Sequence, residues 1–231
     1  MLPLLPRKAV YAVLIAFLAV LTARVEASLI WELDFSNEPE GEWRMEEGYP
    51  DFRKSGGGDL RLEVVGISRP GLSGEARALR IAGGKRGFRN VRDLEPLPAR
   101  CRVRFDFCAN GGAFQFLIFE SAQTVASRGR GLFLFFGNDG SIRYRHGGEA
   151  TAVGAFTRGI WYRAEIELEI APGGGGRFNL VLTDLESGAS VPLKGNGPWP
   201  LDAEVTTLAG FDIGLLRDDA ELLLEKIGIS D

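Results

Sequence analysis

Residues 160–170, Ile-Trp-Tyr-Arg-Ala-Glu-Ile-Glu-Leu-Glu-Ile, place Ala164, Ile166, Leu168 and Ile170 at every second position, with charged residues between them. Successive side chains of a β-strand point to opposite faces, so this period of two makes one apolar and one wetted face. Wound as a helix, the same apolar residues would be scattered around the circumference. The segment therefore predicts a strand in a sheet with one buried side. Other runs of similar character cover 29–35, 59–65, 78–82, 100–108, 113–120, 132–136, 141–145, 177–184, 206–216 and 221–229. Residues 132–136 are apolar at every position, as in a central strand covered on both sides.

Glycine, Asn and Asp separate these runs. Asn110-Gly111-Gly112, Gly137-Asn138-Asp139-Gly140 and the four glycines 173–176 are turn signals, and Arg217-Asp218-Asp219 is expected to join 206–216 and 221–229 as a last pair. No helix signal exceeds two turns. Ten or more short strands joined this way predict an all-β, two-sheet antiparallel β-sandwich.

The first 27 residues read differently. Arg7 and Lys8 precede 13 apolar residues (9–21), and Val25-Glu26-Ala27 then places small residues before Ser28. This is the pattern of a secretory signal peptide. The apolar run is short for a bilayer span, and an uncleaved anchor is the alternative reading. Residues 28–231 are expected to form a single exported domain, whether periplasmic, cell-surface or extracellular, with no further membrane span. The formal charge is −4, and 22 Arg against 5 Lys form no basic run. Nucleic acid is therefore not an expected partner, and a monomer is expected. Cys101 and Cys108 are seven apart, about 23 Å along a strand. They also fall on opposite faces, so no disulfide between them is expected.

Four segments carry a resemblance. They are Phe105-Asp106-Phe107, Gly131-Leu132-Phe133-Leu134-Phe135-Phe136 with its Asn138-Asp139-Gly140 turn, Gly159-Ile160-Trp161-Tyr162-Arg163, and Phe178-Asn179-Leu180-Val181-Leu182-Thr183-Asp184. Together they make residues 101–229 similar to the concanavalin A-like (laminin-G-like) jelly-roll domains. The resemblance implies a jelly roll in which the first and last strands, 29–35 and 221–229, are neighbours. The superfamily contains lectins, glycosidases, polysaccharide lyases and adhesion modules, so it constrains fold more than function.

Glu165, Glu167 and Glu169 share one strand face with Arg163. The trio is similar to the carboxylate strand of laminarinase-type glycosidases. That resemblance implies Glu165 as nucleophile, Glu167 as helper and Glu169 as acid/base, although the middle residue here is Glu rather than Asp. Three neighbouring carboxylates are expected to raise one another's pKa. Residues i and i+4 of a regular strand are about 13 Å apart, whereas a retaining pair of carboxyl groups needs about 5–5.5 Å. The alternative is a solvated face whose glutamates pair with Arg102 and Arg104, beside Asp106, on another strand.

Sugar binding calls for aromatic platforms beside polar side chains. Trp161 and Trp199 are the platform candidates, with Trp43, Tyr49 and Tyr162 behind them. Arg104, Gln115, Arg143 and Arg145 are candidates to line one concave sheet. No cofactor is expected. Ca²⁺ would need clustered oxygens, for which Asp139, Asp212, Asp218 and Asp219 are the candidates, without a calcium-loop spacing. The single His146 excludes a site with two His ligands. The leading expectation is a non-catalytic carbohydrate-binding or surface-interaction module whose partner is a polysaccharide or glycan. A glycoside hydrolase and a ligand-free structural envelope protein are the alternatives.

Overall fold

A computed structural model describes residues 28–43, 52–55, 60–69, 76–83, 87–90, 96–119, 131–195, 197–202 and 205–231. Residues 1–27, where the signal peptide is expected, Tyr49 and the 56–58 glycines lie outside these residues. The described residues form sixteen strands: β1 (Leu29–Asp34), β2 (Gly41–Glu42), β3 (Phe52–Ser55), β4 (Arg61–Ile67), β5 (Ala76–Ala82), β6 (Gly87–Asn90), β7 (Arg100–Gly111) and β8 (Phe114–Phe119), then β9 (Gly131–Phe136), β10 (Ser141–His146), β11 (Glu149–Ala155), β12 (Trp161–Ile170), β13 (Gly176–Asp184), β14 (Trp199–Leu201), β15 (Gly210–Leu215) and β16 (Glu221–Ser230). The described residues contain no helix.

The strands form two antiparallel sheets. One has nine strands in the order β14-β13-β12-β7-β16-β5-β4-β2, with β1 also on β16. The other has seven in the order β11-β10-β9-β8-β15-β6-β3. β16 is long enough to serve two neighbours on one edge: residues 221–224 pair with β5, and residues 226–230 pair with β1. The first and last strands are thus neighbours.

The period of two is what assembles the core. Cys101, Val103, Phe105 and Phe107 of β7 point inward, as do Ala164, Ile166, Leu168 and Ile170 of β12. They meet Phe114, Phe116, Leu134, Phe136, Ile142 and Tyr144 from the seven-stranded sheet. Phe105 packs on Phe116 at 4.7 Å between ring centroids, Phe107 on Phe136 at 5.2 Å, and Phe178 on Tyr144 at 5.4 Å. Each large apolar side chain buried this way contributes roughly 1.5–3 kcal/mol.

Two expectations are corrected, and five strands were not anticipated. β15 and β16 do not pair; they lie in different sheets, and the 216–220 turn carries the chain from one layer to the other. β9 is not covered on both sides: Phe133 and Phe135 are half-buried on the outer face, while Leu132, Leu134 and Phe136 fill the core. Strands β2, β3, β6, β11 and β14 arise where alternation is weak or the run is short. β11, Glu-Ala-Thr-Ala-Val-Gly-Ala, buries only Val153 and pairs as an edge strand with β10.

The thiols do fall on opposite faces. Cys101 joins the main core, while Cys108 joins a small cluster on the outer side of the nine-stranded sheet, and both are free and buried.

Candidate functional site

β12 lies between β7 and β13 in unbroken register, so its outer face meets both neighbours directly. Glu165 stands opposite Arg104, Glu167 opposite Arg102 and Glu169 opposite Arg100. On the other flank Glu167 faces Asn179, and Glu169 faces Arg177. Arg102 Nη2 donates to Glu167 Oε1 at 2.6 Å. Arg100 Nη2 donates to Glu169 Oε1 at 2.9 Å and Arg177 Nε to Glu169 Oε2 at 2.7 Å. The hydrogen bonds from Arg100 and then Arg177 hold the Glu169 carboxyl below the usual range. The expected elevation is therefore reversed at Glu169, because two guanidinium groups hydrogen-bond its carboxylate. No bulge interrupts 161–170, so Glu165 and Glu169 keep the roughly 13 Å Cα spacing of a regular strand.

Further along the same face, the charges become buried. Asp106, 4 % exposed, accepts from Arg163 Nε and Nη2, each at 2.8 Å. Arg69 reaches in behind β4, with Nε and Nη2 both 2.8 Å from Glu225 Oε2 and Nη2 3.7 Å from Asp106. Its guanidinium carbon lies 5.9 Å from the Trp161 ring centre. Trp161 packs with Ala78, Cys108, Ile67, Leu185 and Leu223. Trp161 was expected as an open platform for a sugar; at 5 % exposure it is instead the centre of a minor core. Its polar-side parity was read correctly from the alternation. The cover supplied by Arg69 and Ile67, which are distant in sequence, was not.

The other sugar-binding candidates separate onto different surfaces. Arg104 lies on the outer face of the nine-stranded sheet, whereas Gln115, Arg143 and Arg145 belong to the seven-stranded sheet. The whole core divides them, so they do not line a single sheet. Trp199 is an edge residue, half-buried against Phe178 at 5.5 Å and Tyr144 at 6.4 Å. Trp43 is buried edge-on against Phe35, and Tyr162 is buried with its hydroxyl accepting from the Thr157 N–H.

On the outer face of the seven-stranded sheet, Gln115, Phe135 and Arg143 form one cross-strand row through β8, β9 and β10. Gly214 of β15 extends the row on the other side of Gln115. A Cβ at Gly214 would lie 3.2 Å from Asp212 Oδ1 and 3.4 Å from Gln115 Nε2. The acid and the amide thus converge over a position kept open by a missing side chain. Phe133 stands one step along β9, opposite Leu117. Arg143 donates to Asp139 Oδ2 at 2.7 Å, which steadies its guanidinium beside the row. Arg145 and His146 lie half-buried at the far end of β10.

Phe133 and Phe135 were not singled out from sequence, because an all-apolar strand does not tell which face is wetted. Asp212, 3 % exposed, was read only as a cation candidate. Among the described residues, no three His, Cys, Asp or Glu side chains gather as a metal site. Asp139 accepts from Ser141 and Asp219 from Arg217.

No protein-family pattern matches this sequence, and no curated protein does. Solved structures do match its shape. The PL-14 alginate lyase from Aplysia kurodai superposes with a TM-score of 0.57 at 14 % identity, covering 88 % of this chain and 99 % of the lyase. A sialidase gives 0.57 at 15 % identity over 89 % of this chain, which corresponds to only 19 % of the sialidase. The Emp47p carbohydrate recognition domain gives 0.51 at 10 % identity, over 91 % and 99 % of the two chains. The fold is concanavalin A-like. In this concanavalin A-like sandwich the two outer faces are chemically distinct, one an arginine–glutamate ladder and the other a row of aromatic and amide groups.

Proposed function

We propose that this chain is an exported carbohydrate-binding module that uses the outer face of its seven-stranded sheet and carries out no hydrolysis. One observation carries the reading: Gln115, Phe135 and Arg143 form a single row, with Phe133 beside it and Asp212 meeting Gln115 over Gly214. Aromatic faces supply apolar contact to the C–H side of a sugar ring, while amide, carboxylate and guanidinium groups select hydroxyl orientation. The carbohydrate recognition domain among the structures of similar shape supports the ligand class. The arginine-bound glutamates, with Glu169 held in its charged form, speak against the hydrolase alternative, which needs one carboxylic acid kept protonated.

Affinity electrophoresis against a panel of soluble polysaccharides tests the reading. Retardation by at least one polysaccharide, lost in Phe135→Ala and weakened about ten-fold or more in Arg143→Ala, is the expected result. Reducing ends released by the wild-type chain but not by Glu169→Gln would replace the proposal with the hydrolase. Mobility unchanged across the whole panel would remove it.

A further inference from the structure

The arginine–glutamate ladder on the opposite face encloses a groove of about 700 Å³, within the usual range for small-molecule sites. Arg100, Arg102, Arg177, Glu167, Glu169 and Asn179 line it, with Asp231 at one end. A second hollow of about 280 Å³ adjoins it and shares Arg102; there Glu32, Arg104, Glu165 and Lys226 form the walls. Together they follow the Glu169-to-Glu165 direction of β12, a track about 13 Å long at the strand rise.

We propose that this track is a second glycan site, separate from the row on the seven-stranded sheet, and that it takes a neutral oligosaccharide. Charge balance selects neutrality. In the larger groove three guanidinium groups face the carboxylates of Glu167, Glu169 and Asp231. The smaller hollow sets Arg102, Arg104 and Lys226 against Glu32, Asp106 and Glu165. Arg102 is common to both, so the joined track sets five cations against six carboxylates and has no positive field to draw in a polyanion.

Hydrogen-bonding capacity selects a ligand rich in hydroxyls. A guanidinium has five N–H donors. Arg100 and Arg102 each give one hydrogen bond to a ladder glutamate, so most of their donors are open to a ligand. Glu167 Oε2 and the Asn179 amide add acceptors between them. A sugar hydroxyl both donates and accepts, so this alternation suits a run of hydroxyls at the strand spacing. Mutual fixation by the ladder also holds the guanidinium groups in place before a ligand arrives, which reduces the ordering cost of binding.

The track shares no residue with the row that carries the proposed function, so either site can fail alone. Isotope-labelled protein is titrated with cellohexaose, laminarihexaose and, separately, a hexameric oligogalacturonate, with backbone amides and arginine Nε–H groups followed by NMR. The expected result is saturable shifts centred on Arg100, Arg102, Glu167 and Asn179 with at least one neutral hexamer, and at least a ten-fold weaker fit in Arg102→Ala. Asn179→Ala, at an exposed position, weakens the same titration and guards against misfolding of the arginine variant. Shifts confined to the Gln115–Phe135–Arg143 row would overturn the second site and leave the first intact. A response to the oligogalacturonate alone, or to none of the hexamers at millimolar concentration, would overturn it as well.

Discussion

Arg163 and Asp106 face each other across β12 and β7 as a two-pronged pair, Nε on Oδ1 and Nη2 on Oδ2, both at 2.8 Å. Asp106 is nearly inaccessible and Arg163 partly so. Its hydrogen bonding to the Asp106 carboxylate is the leading reason that the Arg163 guanidinium is held even more firmly protonated than usual. Arg69 and Glu225 close the network from above. Buried pairs of this kind are costly to break from one side, because the abandoned charge stays in a poor solvent.

Asp106→Ala is therefore expected to destabilise the chain by about 3–5 kcal/mol in denaturant unfolding. Asp106→Ala with Arg163→Ala should cost clearly less than the sum of the two single changes, since neither then strands the other. Additive costs would show that the pair is not coupled.

Trp161 closes the minor core of Ala78, Cys108 and Leu223 beneath Arg69. Trp161→Ala should cost about 3–5 kcal/mol, the range for emptying a large aromatic from a packed site. A change below about 1 kcal/mol would mean that Trp161 is an exposed platform after all.

Acid should weaken the fold. Glu169 is lowered by its Arg100 and Arg177 hydrogen bonds. At Glu221 and Asp34 burial pushes upward, but hydrogen bonds from Asn110 and Arg80, and from Ser36 and Lys226, outweigh it and leave both lowered. A group with a lowered folded pKa contributes stability that is complete above its unfolded value and is lost as pH falls through the folded one. Glu225 is raised by burial, so its own contribution runs the other way and improves as pH falls. Six lowered carboxylates among the described residues, Asp139, Asp184 and Asp219 included, against one raised predict a falling Tm from about pH 5 to pH 2, with a shallower fall in Glu221→Gln. A Tm that rises over that interval would refute the assignment.

Burial pushes the Cys101 thiol up to about 11, and burial assisted by the charges of Glu221 and Glu186 does the same for Cys108. The thiolate is the reactive form. Iodoacetamide at pH 8 should leave both cysteines unmodified in the folded protein and label both in guanidinium chloride, as read by intact mass. Labelling of either folded thiol at the rate of a free cysteine would contradict the burial.

Much of the architecture was legible one segment at a time. The alternation in 160–170 placed Ala164, Ile166, Leu168 and Ile170 inward and Glu165, Glu167 and Glu169 outward, and the structure keeps that division. Gly137-Asn138-Asp139-Gly140 turned β9 into β10 as expected, because glycine at 140, with φ +76°, takes a backbone geometry that other residues resist. The 216–220 turn was misread because a tight turn looks the same whether it joins partners in one sheet or crosses between two. Strand β11 escaped notice because small residues at a sheet edge leave no alternation to read.

Local sequence thus determined which residues of β12 share a face, since that follows from the two-residue repeat of an unbroken strand. Which outward faces would be open was decided only when the strands came together. Arg69 closed over Trp161, and Arg100 and Arg177 converged on Glu169 from opposite flanks. The sandwich core itself set Arg104 apart from Gln115 and Arg143. Those outcomes depend on pairing between residues tens of positions apart, and cross-strand register is a property of the assembled sheets rather than of any single segment.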